Sequence, residues 1–257
     1  MNIVLMGASG FVGSKILQEA LNRSHIVTAV SRAPEKLPKH ANLRTAKADV
    51  NDVAALTEHF RGQDAVIHSY APPADPEATA FGRGFKRPVR FVSAAPQAGD
   101  QSVETVRSYT PRDSATHDAH VKSRIEAQTS GTRSIIDAAK AAGLKRILAV
   151  GGVGTLLVNG VRTMDRPEFP WAFEGGAKST AVVKELLQRE PGIDWTVLCP
   201  PMTIAPGQRT GKFRIGLDDL LIMPDGSSEI SLEDFAMAMI DELEQPRHTG
   251  QRFTVGY

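Results

Sequence analysis

Short apolar runs alternate along this chain with longer segments in which apolar residues recur at helical spacing. The first run covers residues 3–6, and after it Val12, Ile16, Leu17 and Ala20 share one face of a helix. Strands that alternate with helices in this way are typical of a parallel sheet covered on both faces. The pattern therefore predicts an α/β fold with a doubly wound parallel sheet.

The other elements are predicted from the same two periods. Further strands are expected at residues 26–30, 43–48, 65–68, 146–150, 195–198 and 252–255. Further helices are expected at residues 52–60, 132–143, 179–189 and 231–243. Asp52 and Ser231 stand where a side chain caps a helix start, so we expect them to begin the first and last of these helices.

Three evenly spaced glycines, Gly7, Gly10 and Gly13, lie between the first strand and the first helix. Glycine lets the backbone turn sharply and approach phosphate oxygens without a Cβ in the way. A helix start also presents unpaired N–H groups and a positive dipole end to an anion. We therefore predict a dinucleotide site whose pyrophosphate contacts the turn. Its residues are Gly7, Ser9, Gly10, Phe11 and Val12.

The second strand ends in Ser31 and Arg32, and Arg32 comes nineteen residues after Gly13. Dinucleotide folds selective for NAD place an acidic residue near this position, whereas an arginine accommodates the 2′-phosphate of NADP. A guanidinium binds phosphate oxygens through two parallel hydrogen bonds. We therefore expect NADP(H) to be preferred over NAD(H), with Lys36 as a second positive charge. A solvated arginine at a strand end is the alternative interpretation of Arg32.

Composition narrows the class of protein. Of the 257 residues 41% are hydrophobic and 23% charged, and the net charge of +1 gives no reason to expect binding to nucleic acid or to an anionic membrane. The single cysteine, Cys199, excludes an intramolecular disulfide and fits a reducing compartment. We expect one cytoplasmic domain over residues 1–257. Nothing in the sequence indicates its oligomeric state.

Two segments are longer than ordinary connections. Residues 72–114 follow the fourth strand, and segments 89–93 and 103–109 within them could pair as a hairpin. We interpret this insertion as a flap over the nicotinamide end, with Tyr109 as an acid when it closes; a disordered surface insertion is the alternative. Residues 155–176, which are rich in aromatic side chains, and residues 203–230 are expected on the substrate side.

The motifs taken in order resemble those of the atypical short-chain dehydrogenases. They match most closely the NmrA-like and NADH-flavin-reductase-like branch that includes biliverdin reductase B. The resemblance implies a Rossmann core with a small C-terminal substrate lobe and with NAD(P)H across its carboxyl edge. It places Asp49 and Val50 beside the adenine. It also implies that the ribose and nicotinamide are lined by residues after the fourth, fifth and sixth strands: Tyr70, Ala71, Pro72, Gly151, Gly152, Pro200, Pro201 and Met202.

The chain departs from this family where the catalytic residues should stand. Typical members use a Tyr-x-x-x-Lys pair and a serine, so that the tyrosine can exchange a proton with a substrate oxygen. Here Glu174 and Lys178 occupy the positions of the pair, and Gly151 and Gly152 stand where the serine should end the fifth strand. Lys178 remains a candidate for contact with the cofactor ribose and, like Tyr109, for catalysis.

We consider three functions for a chain with these departures. We favour a reductase that passes hydride from NADPH to a flat conjugated acceptor, of flavin or quinone type, because such an acceptor needs little help from an acid. A redox sensor that binds NAD(P) and signals to a partner protein is the alternative. A nucleotide-sugar epimerase or dehydratase is the third, although those enzymes need the tyrosine. No metal is expected, since His117 and His120 are interpreted as part of a solvated helix start.

Overall fold

The chain forms a central sheet with short accessory strands. The computed structural model describes residues 1–73 and 114–257. The strands within these residues are β1 (Asn2–Met6), β2 (Ile26–Ser31), β3 (Leu43–Lys47), β4 (Ala65–His68), β5 (Arg146–Val150), β6 (Leu157–Val158), β7 (Val161–Arg162), β8 (Asp194–Cys199), β9 (Thr203–Ala205), β10 (Arg214–Gly216), β11 (Glu229–Ser231) and β12 (Gln251–Gly256).

Eight of these strands form one sheet in the order β10-β12-β8-β5-β4-β1-β2-β3. Every neighbouring pair is parallel except β10 and β12, which run antiparallel. Chain order reverses between β1 and β4, and in such sheets ligands bind outside the carboxyl ends of the strands at that point. The predicted doubly wound α/β sheet of Rossmann type is therefore confirmed.

Helices cover both faces of this sheet. They are α1 (Gly13–Asn22), α2 (Val53–Phe60), α3 (Ser114–Ala141), α4 (Trp171–Gln188) and α5 (Leu232–Glu244). Alternate residues of β1 separate the two layers. Val4 packs with residues of α2, α3 and α4, whereas Leu5 packs with residues of α1 and α5. None of the described helices is long and apolar enough to cross a membrane.

The predicted helix caps are confirmed. The Asp52 carboxylate accepts a hydrogen bond from the Ala55 amide at 3.0 Å, and the Ser231 hydroxyl accepts one from the Asp234 amide at 3.0 Å. Two predicted helix starts are wrong. α3 begins at Ser114 rather than at residue 132. The prediction missed its N-terminal half because that half is largely polar and lacks a continuous apolar stripe. α4 begins just after Pro170 rather than at residue 179, because Gly175 and Gly176 weaken the helical pattern of its first turns.

The two long segments have different outcomes. Tyr109 and the predicted hairpin lie outside the described residues. Residues 155–176 contain the hairpin of β6 and β7 and the first turn of α4, and Phe169 and Phe173 pack against the core rather than lying free on a loop. Of residues 203–230, β9 and the start of β11 form a small parallel sheet, while β10 joins the edge of the main sheet.

A buried ion pair fixes the amino ends of β5 and β8 against the end of α5. Arg146 Nη2 lies 3.0 Å from Glu242 Oε1, with side-chain exposures of 12% and 3%. Glu242 also accepts hydrogen bonds from the backbone amides of Arg247 and His248 and from His248 Nδ1. Burial raises the pKa of Glu242, but the hydrogen bonds to His248 and Arg247 outweigh it, so the pKa lies below its usual value.

We expect Glu242→Gln to lower the free energy of unfolding by about 3 kcal/mol, because it leaves the Arg146 charge buried without a counter-ion. Since the folded-state pKa is depressed, this contribution is present above the usual pKa of a glutamate. It is lost as the pH falls through the folded value, so the gap between variant and parent should narrow in acid. Urea unfolding at several pH values measures both effects.

The control is Glu58→Gln, which removes a pair with Arg61 whose side chains are 63% and 59% exposed. Exposed pairs contribute at most about 1 kcal/mol, so this variant should unfold close to the parent. An equal decrease in the free energy of unfolding of the two variants would show that the buried position of Glu242 has no special effect.

Candidate functional site

The turn after β1 is pressed against the end of β4. Gly7 has a φ of +82°, and a Cβ there would lie 2.3 Å from the carbonyl oxygen of Ser69. The Gly10 amide donates to the Gly7 carbonyl at 2.9 Å, which closes the turn. A Cβ at Gly13 would lie 2.1 Å from the same carbonyl. These contacts require glycine at positions 7 and 13, in agreement with the predicted glycine-rich turn.

The start of α1 is open to solvent. Val12 occupies the N-cap position, makes no side-chain capping bond, and is followed by a first turn without an acidic residue. Ser9 and Gly10 are exposed, and the Phe11 side chain is 59% exposed. The positive dipole end of α1 is therefore directed at a surface that a phosphate can reach. The turn fits the predicted dinucleotide pyrophosphate.

The residues predicted for the adenosine end come together around Tyr70. Burial raises the pKa of Tyr70; the Arg32 and Arg124 charges lower it and the Asp49 charge raises it, so these three charged groups lie near the phenol. A Cβ on Gly131 of α3 would lie 2.6 Å from Tyr70 Cε1 and 3.2 Å from Val50 Cγ2. Tyr70, which the resemblance assigns to the ribose and nicotinamide, thus groups with Arg32, Asp49 and Val50.

The other predicted contacts occupy the carboxyl ends of their strands. Arg32 and Asp49 are exposed after β2 and β3, and Ser31 is half-buried, with its hydroxyl accepting from the Ala33 amide at 3.1 Å. Ala71 is exposed beside buried Pro72 after β4. After β8 the chain turns through Pro200, Pro201 and Met202, of which Pro201 is buried and the other two are half-buried.

Packing at the end of β5 explains why the family's serine is missing. A Cβ at Gly151 would lie 2.6 Å from Cys199 Sγ, and one at Gly152 would lie 2.1 Å from Thr180 Oγ1. Without other changes, neither position has room for a side chain. Cys199 is buried, and burial raises the pKa of its thiol, which disfavours the reactive thiolate.

Lys178 and Glu174 pair with each other on α4. Lys178 Nζ lies 2.5 Å from Glu174 Oε1, and the opposite carboxylate oxygen lies 3.3 Å from His117 Nε2 on α3. Burial raises the pKa of Glu174, but Lys178 and His117 outweigh it and lower the pKa below its usual value. Glu174 is therefore ionised near neutral pH. It holds Lys178 in place and is not a proton donor.

The interpretation of His117 as solvated is wrong, because the side chain is buried between α3 and α4 and contacts Glu174. The sequence could not show this, since Glu174 of α4, which His117 contacts, lies 57 residues further along the chain. His120 is exposed, as expected. Among the described residues no group of histidine, cysteine and acidic side chains is arranged to hold a metal.

Sequence reasoning also missed a polar chain between β4 and α3. His68 Nε2 lies 3.0 Å from Thr132 Oγ1, which also accepts from Gln128 Nε2 at 3.2 Å. Gln128 donates further to the carbonyl of Tyr70 at 3.4 Å. Burial lowers the pKa of His68 to about 4, so the imidazole is neutral near pH 7. This chain connects α3 to the end of β4 and to the backbone beside the glycine turn.

We expect Gly13→Ala to weaken dinucleotide binding at least about tenfold and to lower the free energy of unfolding by about 1–3 kcal/mol, because the new Cβ displaces the Gly7 carbonyl. Calorimetric titration and urea unfolding measure the two effects. The control is Gly176→Ala within α4, where a Cβ meets no atom within 4 Å. This control variant should leave dinucleotide binding unchanged and stabilise the folded protein slightly. Unaltered binding by Gly13→Ala would contradict the close contact at this turn.

Comparisons with known proteins agree with this geometry. Residues 7–246 match the model of a family described as NAD(P)H-binding. The uncharacterized protein YwnB of Bacillus subtilis is 33% identical over 259 aligned residues, which cover 99% of this chain and 98% of YwnB. The match therefore extends over the sheet, the glycine turn and the C-terminal strands.

Solved structures show the same fold. A Bacteroides thetaiotaomicron protein provisionally named as an epimerase is 37% identical, with a TM-score of 0.74 and coverage of 100% of this chain and 96% of that one. A Streptococcus pneumoniae protein provisionally named as an NADH-flavin reductase is 24% identical, with a TM-score of 0.66 and coverage of 100% and 99%. At that identity only the fold is shared. The chain belongs to the NAD(P)H-binding family, in agreement with the resemblance to NmrA-like atypical short-chain dehydrogenases.

Proposed function

We propose that this protein is an NADPH-dependent reductase that passes hydride to a planar conjugated acceptor of flavin or quinone type. The proposal rests on two features that lie at the same edge of the sheet, a site that suits the cofactor and the lack of the usual proton donor. An open glycine turn suits the dinucleotide, while the positions of the family's serine and tyrosine hold Gly151, Gly152 and an ionised Glu174.

The protein's own residues have three tasks in this reaction. Gly7, Gly10 and the start of α1 would hold the pyrophosphate, and Arg32 the 2′-phosphate. Asp49, Val50 and Tyr70 would enclose the adenosine end. Lys178, held by Glu174, is the candidate contact for the second ribose. When bound, NADPH supplies a hydride; each turnover oxidises one NADPH to NADP⁺ and reduces one acceptor by two electrons, with any further proton taken from water.

The acceptor class follows from the missing proton donor. A ketone or sugar gains negative charge on one oxygen during reduction and needs an acid beside it. A carboxylate such as Glu174 that is already ionised has no proton to give. A flavin or quinone spreads the incoming electrons over its rings, so orientation and exclusion of water are what it needs from the protein. The same argument disfavours a nucleotide-sugar epimerase or dehydratase.

A redox sensor of the NAD(P) pool remains the second candidate, because it needs the turn and Arg32 but no proton donor. The two functions differ in turnover. A sensor binds NADP⁺ and NADPH, oxidises no NADPH in the presence of acceptors, and copurifies with a partner protein.

We expect the purified protein to oxidise NADPH in the presence of FMN or a naphthoquinone, followed as loss of absorbance at 340 nm, a property of the cofactor. Gly13→Ala should reduce this rate through weaker cofactor binding, while Gly176→Ala should not change it. Tight NADPH binding without turnover across a broad panel of flavins and quinones would exclude the reductase and select the sensor.

The preference for NADPH over NADH is tested by Arg32→Gln. We expect the Kd for NADPH to rise about 10–100-fold, because charge-assisted hydrogen bonds contribute about 1.5–3 kcal/mol, while the Kd for NADH changes less than about twofold. Lys39→Gln, which alters another exposed cation of the same loop, is the matched control. Equal weakening of both coenzymes by Arg32→Gln would refute a role for Arg32 at the 2′-phosphate.

A further inference from the structure

The Arg124 side chain extends from α3 to α4. Its Nε donates to Ser179 Oγ on α4 at 3.2 Å, while that hydroxyl donates to the Gly176 carbonyl at 3.1 Å. Arg124 Cδ lies 3.5 Å from the point where a Cβ would stand on Gly175. The side chain is half-buried, and its guanidinium is held in one place by α4.

The level of Arg124 along α3 places it beyond the strand ends. Thr132 contacts His68, the last residue of β4, and Gln128 contacts the carbonyl of Tyr70. Arg124 precedes Gln128 by one helical turn, so it lies about 6 Å further toward the N-terminus of α3. Since that end of α3 points out from the carboxyl edge of the sheet, the guanidinium stands where substrates of such folds bind.

Arg124 differs from the other shielded arginines in its partners. In residues 1–73 and 114–257, four arginines with side-chain exposures of 9–19% each pair with a carboxylate: Arg23, Arg146, Arg166 and Arg252. Within the same residues Arg124 bonds only a neutral hydroxyl, and its terminal amino groups contact no acceptor. Burial lowers its pKa, yet a guanidinium remains charged in proteins. A half-buried charge without a counter-ion is costly, and a bound anion removes that cost.

We propose that Arg124, oriented by Ser179, binds an anionic group, a carboxylate or a phosphate, on the hydride acceptor. The inference rests on the proposed function, because it identifies the charge of the molecule reduced. Arg32 is already assigned to the 2′-phosphate of the cofactor, and the charges of Arg32 and Arg124 both lower the pKa of Tyr70. Arg124 can therefore serve the acceptor, and a guanidinium matches the planar oxygens of a carboxylate or phosphate.

The test uses flat ligands that cannot be reduced, so it does not depend on turnover. The protein saturated with NADP⁺ is titrated with 2-naphthoate, 2-naphthyl phosphate and the neutral 2-naphthamide, and calorimetry gives each Kd. We expect at least one anion to bind about tenfold or more tightly than the amide, as for a charge-assisted bond. The preferred anion then distinguishes a carboxylate substrate from a phosphate ester such as FMN.

Arg124→Gln should bring the anion and amide affinities to within about twofold, whereas Arg133→Gln, on the exposed side of the same helix, should keep the preference. Equal affinity of anion and amide for the parent protein, or no saturable binding of any of the three, overturns the proposal without reference to the variants. If Arg124→Gln weakens the binding of NADP⁺ as much as it weakens the binding of the anion, the proposal is also overturned, since Arg124 would then serve the cofactor. Loss of NADPH oxidation with the anion preference intact would instead refute only the reductase function.

Discussion

The site depends on the close contact of two backbone segments, the turn after β1 and the end of β4. At Gly7 a Cβ would lie 2.3 Å from the Ser69 carbonyl, and at Gly13 a Cβ would lie 2.1 Å from the Gly7 carbonyl. This contact places the start of α1 directly over the point where chain order in the sheet reverses. Because the space is filled by backbone atoms, a larger residue cannot be accommodated by a change of rotamer.

A second constraint acts between α3, α4 and the strands beneath them. The hydrogen bonds from His68 through Thr132 to Gln128 fix the position of α3 along the direction of β4. The contact of Thr180 with Gly152 does the same for α4 above β5. Arg124 and Ser179 meet because both helices are held at these positions. The buried hydrogen bonds between β4 and α3 must keep their partners, so they resist sliding of α3 more than apolar contacts do.

The loss of the family's proton relay has a structural cause at one position and an electrostatic one at the other. After β5 a serine does not fit without other changes, since Cys199 and Thr180 occupy the space that its Cβ would need. Glu174 stands at the tyrosine position, and its negative charge is stabilised by Lys178 and His117. The two changes are consistent with each other, because a serine that orients a substrate oxygen has no use without an acid beside it.

The sequence alone determined the sheet, the glycine turn and the ends of most strands, because these depend on local periodicity and on glycine's freedom at φ +82°. It also showed which catalytic residues are absent. Only the tertiary structure decided where α3 begins, that His117 is buried against Glu174, and that Arg124 meets Ser179. The last two facts arise from contacts between residues more than fifty positions apart, and no local pattern in the chain records how two helices are brought side by side.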